Sequence, residues 1–307
     1  MKKIAFCFLI YDIINHEELW NKFFLDVDIN KYNIYIHYKY NVPLKYFEKY
    51  KLNKTIETKY ADISIVKAQN LLLKKALKHD KTNELFIFLS NSCIPLKSFE
   101  HVYNTLNEHF SYFNVTSQNQ CFPRCNNTLK YLDYQYIQKA SQWCILNKKH
   151  AKLLLKNKKD YIKWFNYSET VPDEHCYITF FFKNNLQNEI IATMNESINA
   201  TTFTNWEDIS YKYPSLHGLK NYQSITDEEL NYLSKGKCLF GRKFNKECNK
   251  SLLNNKLYID NISNEKLWIN NLIILYILVK KIILQFIKKL RRIAINVFNK
   301  YRLLINR

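Results

Sequence analysis

Apolar and polar positions alternate along the first half of the chain in a regular rhythm. Lys3–Ile10 is a nearly continuous apolar run that stops at Asp12, the pattern of a strand buried on both faces of a sheet. In His16–Phe24 the apolar residues Leu19, Trp20, Phe23 and Phe24 keep helical spacing. Tyr32–Tyr38 reads as a second strand, ending near His37. Asp62–Lys78 is the clearest helix: Asp62 or Ser64 can cap it, and Ile65, Ala68, Leu72, Leu73 and Ala76 form one apolar stripe. Glu84–Ser90 predicts a third buried strand, Lys97–Asn107 a helix and Tyr112–Thr116 a fourth strand. Strands alternating with helices predict an α/β fold with a mostly parallel sheet, in which ligands bind beyond the carboxyl ends of strands. Asn91-Ser92-Cys93-Ile94-Pro95 directly follows a strand and is a candidate binding loop.

The second half is less regular. Lys139–Leu146 reads as a strand, and Lys148–Leu155 and Tyr161–Phe165 as helices. A further helix starts at Pro172, because proline fixes φ near the helical value and suits the first helical position. Short strands follow at Glu189–Thr193 and Thr202–Trp206. Cys238–Phe244 sets two cations, Arg242 and Lys243, among apolar residues. Cations held at a core edge either face an anion or snorkel to water.

The helix at Pro172 carries Asp173 and Glu174 in its first turn. The free N–H groups and helix dipole there favour an ionised carboxylate. Such a carboxylate at a cleft can act as a general base, although acids in a first turn also serve simply as caps.

Composition narrows the class. The 307 residues are 47% hydrophobic and 16% aromatic, enough for a sizeable core, and 3 Gly and 5 Pro argue against long flexible linkers. The apolar start of the chain is too short for a signal peptide and lacks a small-residue cleavage site, so it reads as a strand. The eight cysteines show no paired metal spacing, and reduced thiols are expected. His16-Glu-Glu-Leu-Trp20 lacks the second histidine of a zinc-protease helix. Asp26-Val-Asp28 imitates an Asp-x-Asp metal motif, but it follows a helix and reads as surface.

The net charge of +19 raises nucleic acid and anionic membrane as partners. Residues 264–307 hold ten Lys/Arg and one acid, so nearly half of the excess lies there. Leu267–Val279 is uncharged but thirteen residues long, short of the roughly 20 needed for a span. At helical spacing, Lys280, Lys281, Lys288, Lys289, Arg291 and Arg292 share one half-turn, and Ile282, Ile283, Phe286, Leu290, Ile293 and Val297 the other. This predicts a basic amphipathic helix on an anionic membrane surface. No RNA- or DNA-binding motif appears, and nucleic acid is not the expected partner.

Tyr35-Ile-His37, Ala61-Asp-Ile-Ser-Ile-Val66, Phe88-Leu-Ser-Asn-Ser-Cys-Ile-Pro-Leu96, Ala140-Ser-Gln-Trp143, Pro172-Asp-Glu-His175, Asn205-Trp206 and Leu239-Phe-Gly-Arg-Lys-Phe244 occur in this order. The ordered set, spanning roughly residues 3–244, resembles the core-2/I-branching β-1,6-N-acetylglucosaminyltransferase family, glycosyltransferase family 14. The resemblance implies a GT-A-like domain over residues 1–250, followed by the basic tail at 264–307. It implies an inverting transfer from a UDP-sugar, most simply UDP-GlcNAc with UDP-xylose as the alternative, without a metal or other cofactor. By the resemblance Glu174 maps to the catalytic base, and Lys243 and Lys220 to cations holding the diphosphate, with Arg242 beside them. Trp206 maps to an acceptor-stacking residue. Trp143 is a second candidate for the acceptor, and Asn91 and Ser92 for the donor-binding loop. No N-terminal anchor like that of the family's animal Golgi members is seen. The tail therefore suggests a cytoplasmic enzyme, peripheral on the inner face of a membrane, with a glycan or lipid-linked glycan as acceptor.

Overall fold

In the computed structural model the chain divides into two compact units, residues 1–263 and 264–307. The described residues are 2–167, 170–194, 201–207 and 211–263, and, in the second unit, 276, 279–281, 283, 286 and 287.

The first unit is built on a six-stranded sheet of β1 (Lys3–Ile10), β2 (Tyr32–Tyr38), β3 (Asn83–Ser90), β5 (Ser111–Val115), β6 (Ile145–Asn147) and β7 (Ile190–Met194), in the order β2-β1-β3-β6-β5-β7. β1 pairs in parallel with β2 and β3, and β5 with β7. β6 alone runs against its neighbours β3 and β5. A smaller sheet joins β4 (Ile94–Pro95), β9 (Phe240–Arg242) and β8 (Thr202–Thr204) in that order. This is the α/β architecture expected from the sequence, with a central, mostly parallel sheet flanked by helices.

The near-continuous apolar strands resolve into two buried faces, because successive side chains point to opposite sides of a sheet. Ala5, Cys7, Phe86 and Phe88 face one core. Helix α2 (Ile63–His79) covers it with Val66, Leu72, Leu73 and Ala76, together with α4 (Lys148–Lys156), α5 (Lys158–Phe165) and α6 (Pro172–Lys183). Ile4, Phe6, Phe8, Leu85, Ile87 and Leu89 face the other. There α1 (Glu17–Phe24) brings Trp20 edge-on to Phe8 at 5.1 Å, and α3 (Phe99–Thr105) adds Phe99. Each such aromatic pair contributes about 0.5–1.5 kcal/mol beyond its buried area. A third cluster, including Ile94, Phe203, Phe244 and Tyr258, packs the small sheet against α7 (Asp227–Lys235), α8 (Asn249–Asn254) and α9 (Lys256–Ile262).

Most elements fall within a residue or two of expectation; α2 is capped by Asp62, whose carboxylate accepts from Ser64 N–H at 2.8 Å. The predicted strand at 139–146 is interrupted: Ile145–Asn147 is its regular part, and Ala140 makes an isolated antiparallel bridge to Val115 of β5. Residues 138–141 are held between α6 and the end of β5. Ala140 N–H donates to Glu174 O, and Ser141 N–H to Asn114 O, each at 2.8 Å. Asp26 and Asp28 are exposed, and Asp28 caps the turn at Ile29–Lys31. In the second unit the described residues 276, 279–281, 283, 286 and 287 are helical, and Tyr276, Val279, Ile283, Phe286 and Ile287 are exposed. Lys288, Lys289, Arg291 and Arg292 lie outside the described residues. Among the described residues no helix is long and apolar enough to cross a membrane.

Candidate active site

α6 begins without a side-chain cap: Val171 precedes it and Pro172 opens it. Its first turn presents two adjacent acids with different fates. Asp173 is 8% exposed, and its Oδ1 is buried without a hydrogen-bond partner among the described residues. Burial first, then the neighbouring Glu174 charge, pushes its carboxyl up to about 7, while Arg242 and a backbone hydrogen bond pull the other way. Glu174 instead opens to a cavity of about 660 Å³. One side chain of the pair is driven toward neutrality in the protein, and the other meets the cavity.

The next residue, His175, fixes the direction of this turn. Its Nδ1–H donates to Gln138 O at 2.8 Å, and its ring stacks on Phe165. Burial holds it near 4, so it is neutral at physiological pH. Thr179 Oγ1 accepts from Gln138 N–H at 3.0 Å. These bonds lace residues 138–140 to α6 and bring Lys139 Nζ to 3.5 Å from Glu174 Oε2. The side chains of this pair are 21% and 32% exposed, so it is only partly shielded from water.

Trp143, buried, lines the same cavity, and the guanidinium of Arg242 lies over its ring at 4.8 Å. Arg242 ends β9. Its Nε is buried without a hydrogen-bond partner among the described residues, and burial lowers its pKa against the opposing charges of Glu174 and Asp173. Trp206, 52% exposed, stands at the rim with Glu207 and Gly218. Gly218 takes φ +58°, and its N–H donates to the Glu207 carboxylate, which closes the rim by a turn that disfavours a side chain.

Of the residues expected from the sequence, Glu174, Trp143, Trp206 and Arg242 therefore share one cavity. Lys220, Lys243, Asn91 and Ser92 are not in its lining. Lys220 and Lys243 belong to paired segments: Tyr222 bridges Phe244, and Tyr222 N–H donates to Lys243 O at 2.8 Å. Lys220 Nζ reaches Glu229 at 3.4 Å and lies over the Tyr222 ring. Lys243 is half-buried, and burial and Arg242 together lower its pKa. Ser92 is buried, and its carbonyl accepts from Phe244 N–H; Asn91 O accepts from Asn15 N–H. In this structure the 91–92 loop buttresses the segment that carries Arg242 and Lys243. Lys139 and the contrast between Asp173 and Glu174 are not evident in the sequence. The only signal for Lys139 is a cation immediately before Ala140-Ser-Gln-Trp143.

The Core-2/I-Branching enzyme family matches residues 4–234. A glycosyltransferase of rice, BC10 of Oryza sativa subsp. japonica, is 24% identical over 84% of this chain and 78% of its own. Among solved structures, a glycosyltransferase involved in glycosylation of the major capsid of PBCV-1 covers 78% of this chain and 94% of its own, at 10% identity and a TM-score of 0.38. The galactosyltransferase LgtC, solved with donor and acceptor sugar analogues, covers 61% of this chain and 73% of its own, at 7% identity and a TM-score of 0.37. Both structural likenesses are distant, and the assignment stands on the sequence match. The chain belongs to the Core-2/I-branching enzyme family and is a glycosyltransferase.

Proposed function

We propose that this glycosyltransferase moves GlcNAc from UDP-GlcNAc to a glycan hydroxyl, with inversion and without a metal. Glu174 takes the proton of the acceptor hydroxyl as its oxygen attacks the anomeric carbon. The bond from that carbon to the UDP oxygen breaks, and its electron pair leaves on the diphosphate. Fixed cations offset this developing charge: Arg242 at the cavity, with Lys220 and Lys243 on the paired segments beside it. Trp206 at the rim and Trp143 inside offer rings for an acceptor sugar.

The observation that carries this reading is the convergence of the Glu174 carboxylate, Lys139 and Arg242 on one cavity. The test is transfer from UDP-GlcNAc, UDP-xylose, UDP-GalNAc and UDP-glucose in EDTA by the wild type and Glu174→Gln. We expect turnover in EDTA, highest with UDP-GlcNAc, and a loss of about 10²–10⁴-fold in the variant. A requirement for added metal, or full activity of Glu174→Gln, would refute the mechanism.

The basic tail is proposed to bring the enzyme to an anionic membrane surface on the cytoplasmic side, where a lipid-linked glycan would be the acceptor. The amphipathic pattern of residues 280–297 and the exposed apolar residues among those described support this. Truncation after Ser263 is expected to abolish flotation with phosphatidylserine vesicles; persistent flotation contradicts the tail's role.

A further inference from the structure

A second cavity, about 800 Å³, lies in the first unit away from every residue assigned above. α2 contributes Lys67, Asn70, Leu71 and Lys74, spaced three, four and seven residues apart and so on one helical face. α5 contributes Lys158, Lys159, Ile162 and Lys163. Five lysines thus ring one cavity, and among the described residues no carboxylate lines it. Asp62 acts on Lys67 from the start of α2, and Asp160 is exposed outside the lining. Between the lysines the wall is apolar, formed by Ile56, Leu71, Leu155 and Ile162.

One buried polar group marks the wall. Asn70 is 6% exposed, and its amide lies 2.9 Å from the hydroxyls of both Tyr161 and Tyr177. The Tyr161 hydroxyl also lies 3.1 Å from Leu154 O, and these contacts anchor Asn70 in the cavity wall.

We propose that this cavity binds a phosphate-bearing lipid, its phosphate among the lysines and the start of its hydrocarbon on the apolar wall. The volume suits one headgroup and short chain segments. A polynucleotide would leave the apolar wall unused, and a free sugar would bring no opposite charge to the lysines.

The test uses the full chain and calorimetric titration with short-chain probes below their micelle concentrations. Dihexanoyl phosphatidic acid is compared with dihexanoyl phosphatidylcholine and inorganic phosphate. Binding of the phosphatidic acid, at least tenfold tighter than of either other probe, supports the proposal. Lys67→Gln, Lys158→Gln and Lys163→Gln combined should weaken it on the order of a hundredfold, since each lysine near an anionic headgroup contributes roughly fivefold. Lys235→Gln with Lys237→Gln, exposed at the end of α7 and outside both cavities, should leave it unchanged, and thermal melting confirms folding of each variant. Equal affinity for phosphatidylcholine or for inorganic phosphate, or undiminished binding by the triple variant, would overturn the proposal.

Discussion

The two cavities differ in how they treat charge. Around Glu174 both signs are present, and each charged group is tied to a neighbour: Glu174 to Lys139, Arg242 to the Trp143 ring. Around Asn70 one sign dominates, and the lysines are exposed at the rim of an apolar wall. Opposed charges fixed by backbone lacing suit a reaction in which a proton moves one way and an electron pair the other. A ring of one sign provides no group to accept a proton and suits only binding. Size would mislead here, since the larger cavity is the one without a candidate base.

Substitutions can break this contrast. Arg242→Met removes the fixed cation while keeping most of the side-chain volume over Trp143. We expect kcat to fall about 10²–10³-fold, as when a single charge-stabilising donor is lost from an active site. A KM effect with unchanged kcat would make Arg242 a binding residue and weaken the contrast.

A smaller effect, on stability, sharpens the difference between the two acids of α6. Asp173 is held up to about 7 against an ordinary value of 3.8, so across this window the folded state binds more protons than the unfolded state. Its contribution therefore makes stability fall as pH rises from about 4 to 7. The buried histidines His16, His37, His150 and His175 are shifted down and act in the opposite sense. The readout is thus the difference between wild type and Asp173→Asn in denaturant melts at pH 5 and 8. The variant should gain on the order of a few kcal/mol relative to wild type at the higher pH. A constant difference would show that Asp173 is charged in the folded state at both.

How much of this was legible in the sequence depended on whether the signal was local. β1, β2, β3 and α2 were readable because their apolar periods lie within one segment. Glu174 was readable because proline and two acids mark a helix start. Residues 139–144 were read only in part: Ala140 bridges Val115 and Cys144 O accepts from Phe88 N–H, as in a strand, but Ala140 N–H turns to Glu174 O on α6, which strand-like composition does not show. Asn91 and Ser92 follow a strand as a binding loop does, yet their carbonyls are spent on Asn15 and Phe244. The lysine cavity was invisible because α2 and α5 lie far apart in sequence and only the fold sets their basic faces around one space.

The most direct test of which cavity handles the nucleotide is lysine acetylation footprinting by mass spectrometry with and without UDP. UDP should protect Lys139, Lys220 and Lys243 and leave Lys67, Lys158 and Lys163 as reactive as before. Protection of the second set, with the first unchanged, would place the nucleotide in the wrong cavity and contradict the account.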